Sequence, residues 1–592
     1  MSRPRTPPVD DALIARWRAA WPEALAVWSR YTRLRDPRLC STTVSAAGEG
    51  LSGSFAMIRL LDQSVVIDLQ AVRQYALEDF GVEILAHEIG HHVLAPATAL
   101  DHFRLIARMR RALPTLEQHA AMVANLYTDL CINDRLQRQA GLRMVAIYRA
   151  LAQAPAGPAS RLWTLYMRIY EHLWQLAPGQ LAGSGFADAD ALDTDAWLGA
   201  RVIRVYGTDW MRGAGRFATL VLPYLLNDQA AHDKLQAWHD TGAAAEGCLP
   251  DGLHALDPDE DDDIVHPLDD PAVSGDDVGT SEPQPAATRS TGQAREPFEY
   301  GEILRAGGVV LSPHAIAMRY YRERALPHLV DFPRRPSPRA PEPEMEGLEP
   351  WELGDSIERV DWLHSLALSP TPIPGFTIMQ RRMTEEPAFE KRPVPVDLDL
   401  YVDSSGSMPN PQVSTSFPAL AGAIVALSAL RAGASVQVTL WSGKRDVLGT
   451  TGFVRDADQI LHVLTGFFGG STCFPIHRLR DTYPAQGQRQ RMTHILMISD
   501  SGITTMFDRD ERGNSGWDVA AAALRAAGGG GTMALDMPAC WEDWAGASGN
   551  NPWGQLQRAR DREGWAIHAV TDMGQLVDFA RAFSARHYGG ER

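Results

Sequence analysis

From Val394 to the end of the chain, apolar β-rich runs alternate with helical stretches, and this alternation restricts the fold more than any other feature. The runs are Val396 to Val402, Val436 to Trp441, His494 to Ser499, Thr532 to Asp536 and Trp565 to Val570. Between and after them lie helical patterns at Phe417 to Leu430, Asp456 to Phe467, Asp518 to Ala527 and Gly574 to His587. Strands separated by helices cannot pair as hairpins. They build a parallel sheet covered by helices on both faces, with ligands bound at the carboxyl ends of the strands. Residues 394–592 are therefore expected to form a doubly wound α/β domain.

The remaining chain is too long to share that core, since 592 residues exceed what one hydrophobic interior supports. Between Asp257 and Glu282 stand eleven acidic residues and no Lys or Arg, and like charges at that density repel rather than bury. Residues 256–296 are accordingly expected to be a disordered acidic linker. Ahead of it, residues 1–255 read as a mainly helical domain with a small β-sheet. Leu13, Trp17, Trp21, Leu25 and Trp28 mark one face of a helix from about Asp10 to Leu34. Phe55 to Leu60 and Val65 to Leu69 form a strand pair, and a long helix follows from about Ala71 to Leu94. Further helices run to about His254, with Trp163, Tyr166, Tyr170 and Trp174 assigned to the core. Residues 297–393 form a connecting segment with a helix near His314 to Leu326 and an extended Pro- and Arg-rich stretch from Phe332 to Pro343; Trp351 to Met383 has no assignment.

A formal charge of -17 argues against general nucleic-acid binding, and the basic cluster Arg104 to Arg111 fits the wet face of a helix. Cys40, Cys131, Cys248, Cys473 and Cys540 are odd in number and include no CxxC pair, which fits a reducing, cytoplasmic setting. The apolar run Ala419 to Leu430 is too short to span a bilayer, so no direct membrane insertion is expected.

His87, Glu88 and His91 form H-E-x-x-H inside the predicted helix. Residues four apart share a helix face, so both imidazoles can reach one Zn2+ while Glu88 is placed to take a proton from water as the catalytic base of a hydrolase. A third ligand is expected from Asn125-Leu126-Tyr127-Thr128-Asp129-Leu130-Cys131-Ile132-Asn133, where Asn125, Asp129 and Asn133 recur every four residues. Asp129 is the chosen ligand because a carboxylate offsets the charge of zinc, with Asn125 and Asn133 orienting the groups around it. Glu117, His119 and Asp134 remain substitutes, and His92 points to another face of the helix.

Asp403-Ser404-Ser405-Gly406-Ser407 follows an apolar strand. One carboxylate and two hydroxyls on a tight loop are hard oxygen donors that suit Mg2+ or a similar divalent cation. This D-x-S-x-S motif, with Gly469-Gly470-Ser471-Thr472 and Ile498-Ser499-Asp500 after it, resembles the von Willebrand factor A domain and its metal-ion-dependent adhesion site. The resemblance implies that Thr472 and Asp500 join Asp403, Ser405 and Ser407 around the cation, and that a partner protein supplies a further carboxylate.

As a whole, the chain resembles a bacterial family that joins an N-terminal metallopeptidase domain to a C-terminal von Willebrand factor A-like domain. HEIGHH, the Asn125-Asp129-Asn133 stripe, WELGDSIERVDW (Trp351 to Trp362) and DSSGSM carry that resemblance. It implies a zincin-like first domain, peptide-bond hydrolysis and association with a MoxR-type AAA+ ATPase. In the gluzincin pattern ExxxD the ligand is the first residue, which here is Asn125, so a metal-stabilised adaptor without turnover is the competing expectation.

Overall fold

The computed structural model describes residues 11–583 except 30–31, 52, 154–159, 184–188, 227–240, 243–248, 258, 276–293, 331–333, 337–344, 384–392, 485–490, 539, 545–550, 572–574, 576–577 and 581–582. The chain is mixed α/β and divides into two compact units, one comprising 1–323 with 412–414 and the other 324–411 with 415–592.

In the first unit, α1 (Asp11–Trp28) buries Leu13, Trp17 and Trp21 of the expected stripe, while Leu25 and Trp28 are only partly buried against the same core. The sheet contains β1 (Arg38–Cys40), β2 (Ala56–Arg59), β3 (Ser64–Asp68) and β4 (Thr241–Gly242) in the order β1-β3-β2-β4. Strands β2 and β3 pair antiparallel, while the very short β1 and β4 add in parallel at the edges. The helix expected over Ala71 to Leu94 is broken into α2 (Leu69–Gln74) and α3 (Gly81–Val93). The break follows from Ala76, which takes a left-handed φ of 54° that an α-helix cannot contain, and from Leu77, which turns fully inward. Helices α4 (Ala99–Ala112), α5 (Ala120–Arg138), α6 (Met144–Gln153), α7 (Arg161–Trp174), α8 (Ala189–Val205) and α9 (Trp210–Leu226) follow. Nearly every side chain of α5 from Met122 to Leu136 is buried, so this helix forms the middle of the unit.

The acidic run departs from the expectation of a disordered tether. Where it is described, it packs on helices of the same unit: Glu260 and Asp263 are each 1 % exposed. Their counter-charges come from far along the chain. Arg108 of α4 donates to Asp257 (2.9 Å) and Asp263 (3.1 Å), and Arg295 grips both oxygens of Glu260 at 2.7 Å. Arg216 of α9 reaches Asp263 at 3.3 Å. Arg108 is therefore buried in a charge cluster, which corrects its placement on a wet helix face. A carboxylate deprived of water is tolerated when a guanidinium meets it in paired hydrogen bonds. The rest of the acidic run, 276–293, lies outside the described residues, as does most of the predicted helix Gly574 to His587.

The second unit is built on a six-stranded sheet of β9 (Asp397–Asp403), β10 (Val436–Trp441), β11 (Val447–Gly449), β12 (Thr493–Asp500), β13 (Gly528–Asp536) and β14 (Trp565–Ala569). Their order is β11-β10-β9-β12-β13-β14, parallel throughout except for the antiparallel edge strand β11. Both faces are apolar because helices cover both; Leu398, Leu400, Tyr401 and Val402 of β9 are buried. The helices include α12 (Phe417–Arg431), α13 (Ala457–Leu464), α14 (Ile476–Thr482), α15 (Gly516–Ala527) and α16 (Pro552–Asp561). Ahead of the sheet, β5 (Arg334–Pro336) pairs with β8 (Pro393–Pro395) and β6 (Met345–Pro350) with β7 (Met379–Met383), with α11 (Trp362–Leu368) between β6 and β7. Helix α10 (Pro297–Ala306) belongs to the first unit. Among the described residues no helix is long and apolar enough to cross a membrane.

Candidate metal centres

The first centre begins with the close approach of α3 to α5. Gly90 makes that approach possible: a Cβ at this position would lie 2.5 Å from Cγ2 of Ile132 and 2.7 Å from the ring of Trp28. Two turns earlier, Glu83 is fixed by Arg143 at 2.7 Å, and one turn earlier Trp28 Nε1 donates to the Ala86 carbonyl at 2.7 Å. These contacts set the rotation of α3, and His87 and His91, four residues apart, then face α5 together.

Asp129 stands opposite them. Its Oδ1 lies 3.6 Å from His87 Nε2 and 3.5 Å from His91 Nε2. Among the described residues, His87, His91 and Asp129 are the one trio of His, Cys, Asp or Glu whose ligand atoms all fall within 4.8 Å of one another. The outer ring nitrogens decide what the inner ones can do. His87 Nδ1 is 2.7 Å from Asn133 Oδ1, and His91 Nδ1 is 3.0 Å from the Ala95 carbonyl. Both partners are pure acceptors, so each neutral ring carries its proton on Nδ1 and turns an Nε2 lone pair toward Asp129. Around a tetrahedral zinc with bonds of about 2.0–2.1 Å, donor atoms stand about 3.4 Å apart, close to the separations found here. Two imidazoles and one carboxylate also form the three-ligand set that leaves a fourth position open.

The stripe on α5 is used along its whole length. Asn125 Nδ2 donates to Asp129 Oδ2 at 3.1 Å, holding the carboxylate from behind. Asn133 Nδ2 donates to the hydroxyls of Tyr148 and Tyr170, both at 2.9 Å, and Tyr170 in turn meets Tyr166 at 3.0 Å. Burial pushes the phenols of Tyr166 and Tyr170 well above their ordinary pKa, so they remain neutral. Local spacing marks these tyrosines only as core aromatics. They are buried, and they also support the histidine ligand through Asn133; nothing in their own segment signals the second role.

Glu88 is 1 % exposed and lines a cavity of about 70 Å3 together with His87, Asp129, Asn133, Tyr148 and Tyr166. The substitute ligands lie elsewhere. Asp134 is bound by Arg138, and His119 meets Gln118 at 3.1 Å. Glu117 opens the short turn Glu117–His119 and is not part of the His-His-Asp trio. His92 is half-buried, and burial lowers its pKa.

The second centre sits at the carboxyl ends of β9 and β12. From β9 the chain passes to β10 on one side and later to β12 on the other, so Asp403 ends its strand where the winding reverses. Asp403 is 3 % exposed; its Oδ1 accepts from the Ser405 amide at 2.8 Å and its Oδ2 from the Ser499 hydroxyl at 2.5 Å. The hydroxyls of Ser405 and Ser407 are 3.1 Å apart, and Ser407 donates to Asp500 Oδ2 at 2.7 Å. The Gly-rich loop closes over this turn: the Gly406 amide donates to the Gly470 carbonyl (2.8 Å) and the Gly469 amide to the Ser404 carbonyl (3.0 Å). A left-handed φ of 66° at Gly469 permits that reversal. Thr472 follows, and its methyl lies 2.5 Å from where a Cβ of Gly502 would stand, beside the Asp500 turn.

Asp403, Ser405, Ser407 and Asp500 are thus joined in one hydrogen-bonded cluster with Thr472 at its edge. Burial raises the pKa of Asp403, and the nearby Asp500 adds to that against the bonds from Ser499 and Ser405. Asp536, in register with Asp500 on the next strand, is also raised by burial and by Asp500. Sequence spacing places Asp536 at a strand end without marking it as a member of this group. Crowded carboxylates and hydroxyls offer a cation hard oxygen donors in place of mutual repulsion.

No protein-family model matches the chain, and no curated protein matches it at a significant level.

Proposed function

We propose that the first unit is a zinc-dependent peptidase and that the second is a von Willebrand factor A-like domain binding a protein partner through Mg2+. The observation that carries the first half is the convergence of His87 Nε2 and His91 Nε2 on Asp129 Oδ1 at 3.6 and 3.5 Å. Zinc held there would supply Lewis acidity and make water acidic near neutral pH. Glu88 lines the same cavity and is the base that accepts a proton from water. Asn133 and the Ala95 carbonyl orient the two histidines, and Asn125 orients Asp129.

For the second half, support comes from the Asp403-Ser405-Ser407-Asp500 cluster at the switch point of a mostly parallel sheet. Ser407 is exposed, so a carboxylate from a partner can approach. The family resemblance proposes a MoxR-type AAA+ ATPase as one such partner and the cytoplasm as the place of work. Cys40, Cys131, Cys473 and Cys540 are free thiols, in keeping with a reducing compartment.

A second reading, a zinc-stabilised adaptor without turnover, is favoured by Asn125, which stands where the gluzincin pattern has its ligand carboxylate and here donates to Asp129 Oδ2 at 3.1 Å. Zinc-loaded full-length chain and its Glu88→Gln variant separate the two. If the variant keeps its zinc and loses cleavage of a quenched-fluorescence peptide library, the site is catalytic; if neither protein cleaves any peptide while both hold zinc, the adaptor reading stands.

A further inference from the structure

The segment from Met345 to Met383 is ordered by polar bonds and displays its apolar side chains outward. Its frame is β6 and β7 with α11 laid across: the Asp361 amide donates to the Met379 carbonyl (2.8 Å), the Met379 amide to the Ser365 hydroxyl (2.8 Å), and the Trp351 amide to the Ile378 carbonyl (2.7 Å). Asp361 caps α11 at His364 and is paired with Arg381. The inward face of α11 carries Ser365, 1 % exposed, while Trp362, Leu363 and Leu366 share the outward face at 48 %, 80 % and 54 % exposure. Leu353, Ile357 and Phe376 are 84 %, 64 % and 78 % exposed in the adjoining loops. This inverts the usual arrangement, in which a short helix hides its apolar stripe and wets its serine.

Six large apolar side chains left bare on one short segment are more than the singly scattered exposed hydrophobics usual on a free monomer, and mark a surface that a partner covers. The charges around them select the occupant. Between Glu352 and Arg359 the exposed charged residues are Glu352, Asp355, Glu358 and Arg359, three acidic and one basic. Arg381 and Arg382 are engaged with Asp361 and Glu346. We propose that this face is a docking surface for a partner protein that presents apolar side chains bordered by Lys or Arg. A second copy of the chain would bring the same acidic rim against itself, and an anionic lipid surface would be repelled by it. The surface goes beyond the proposed Mg2+ site: its frame and its side chains include none of the residues around Asp403.

The test uses full-length chain in excess chelator, so that cation-dependent capture at Asp403 plays no part. The probes are two synthetic amphipathic helical peptides with the same leucine face, one flanked by Lys and the other by Glu, followed by fluorescence anisotropy. The Lys-flanked peptide is expected to bind at least tenfold tighter than its Glu-flanked counterpart. Leu363→Ser/Phe376→Ser should weaken it at least tenfold, with an unchanged melting temperature because both side chains are exposed, and Glu352→Gln/Glu358→Gln should narrow the difference between the peptides. Equal affinity for both peptides, or undiminished binding by the Leu363/Phe376 variant, overturns the proposal. Concentration-dependent dimerisation of the wild type that this variant loses would assign the face to a second copy, and wild-type binding to phosphatidylserine vesicles that the variant loses would assign it to a membrane; either result also overturns the proposal.

Discussion

Replacing Gly90 by Ala tests whether helix packing sets the metal-ligand distances. The added methyl would stand 2.5 Å from Ile132 Cγ2 and 2.7 Å from Trp28 Cζ2, about 1 Å inside ordinary carbon–carbon contact. Ile132 is fully buried and cannot swing into solvent, so α3 must move away from α5. Overpacking of this kind costs about 1–3 kcal/mol, and the better helix propensity of Ala returns ~1 kcal/mol, leaving a net loss of up to about 2 kcal/mol. For a unit of more than 300 residues that is a fall of at most roughly 3 °C in Tm. The effect on the site is larger, because the same movement draws His87 and His91 away from Asp129. Zinc affinity, measured by competition with a chromophoric chelator, should fall about 10–100-fold, the range found when groups supporting metal ligands are disturbed. Adding Ile132→Ala removes the worst overlap and should recover part of the zinc affinity although it lowers stability by itself. Wild-type zinc affinity in Gly90→Ala would refute the claim that this approach positions the ligands.

Asn133→Ala removes the acceptor that holds His87 Nδ1, and a zinc affinity about 10–100-fold weaker is expected in the same competition assay, with little change if zinc is not held by His87. Asp403→Ala should abolish Mg2+-dependent partner capture in a pull-down while leaving zinc content unchanged; equal capture in chelator would contradict this. Asp270 carries a pH prediction. Burial would raise its pKa, but bonds from Tyr206 and Arg216 outweigh burial and hold it below its ordinary 3.8. Its ionised form is therefore favoured by folding, so its contribution is present above that value and lost as the pH falls through the lower folded value. Urea midpoints of Asp270→Asn should show a shallower loss between neutral pH and pH 3 than wild type.

The H-E-x-x-H helix was legible because four-residue spacing is a property of the helix itself, and the Asn125-Asp129-Asn133 stripe for the same reason. What spacing cannot supply is a partner distant in sequence. The acidic run looked unstructured because its counter-charges, Arg108 and Arg216, lie some 50 to 150 residues away. Tyr148 and Tyr170 reach the site through Asn133, a contact that aromatic content alone does not reveal. In the second unit the alternation exposed five strands, while β11, three residues long and antiparallel, was too short to register. Trp351 to Met383 resisted assignment because its apolar residues follow neither helical nor strand burial, being turned outward from a polar frame.

Zinc titration of the full-length chain and of Asp129→Ala, with X-ray absorption on the loaded protein, asks whether His87, His91 and Asp129 hold one cation. One zinc per chain with two imidazole nitrogens and a carboxylate oxygen in its shell, and an affinity reduced at least 100-fold in the variant, is the predicted result. A chain that takes up no zinc, or an Asp129→Ala protein that binds it as tightly as wild type, would contradict the account.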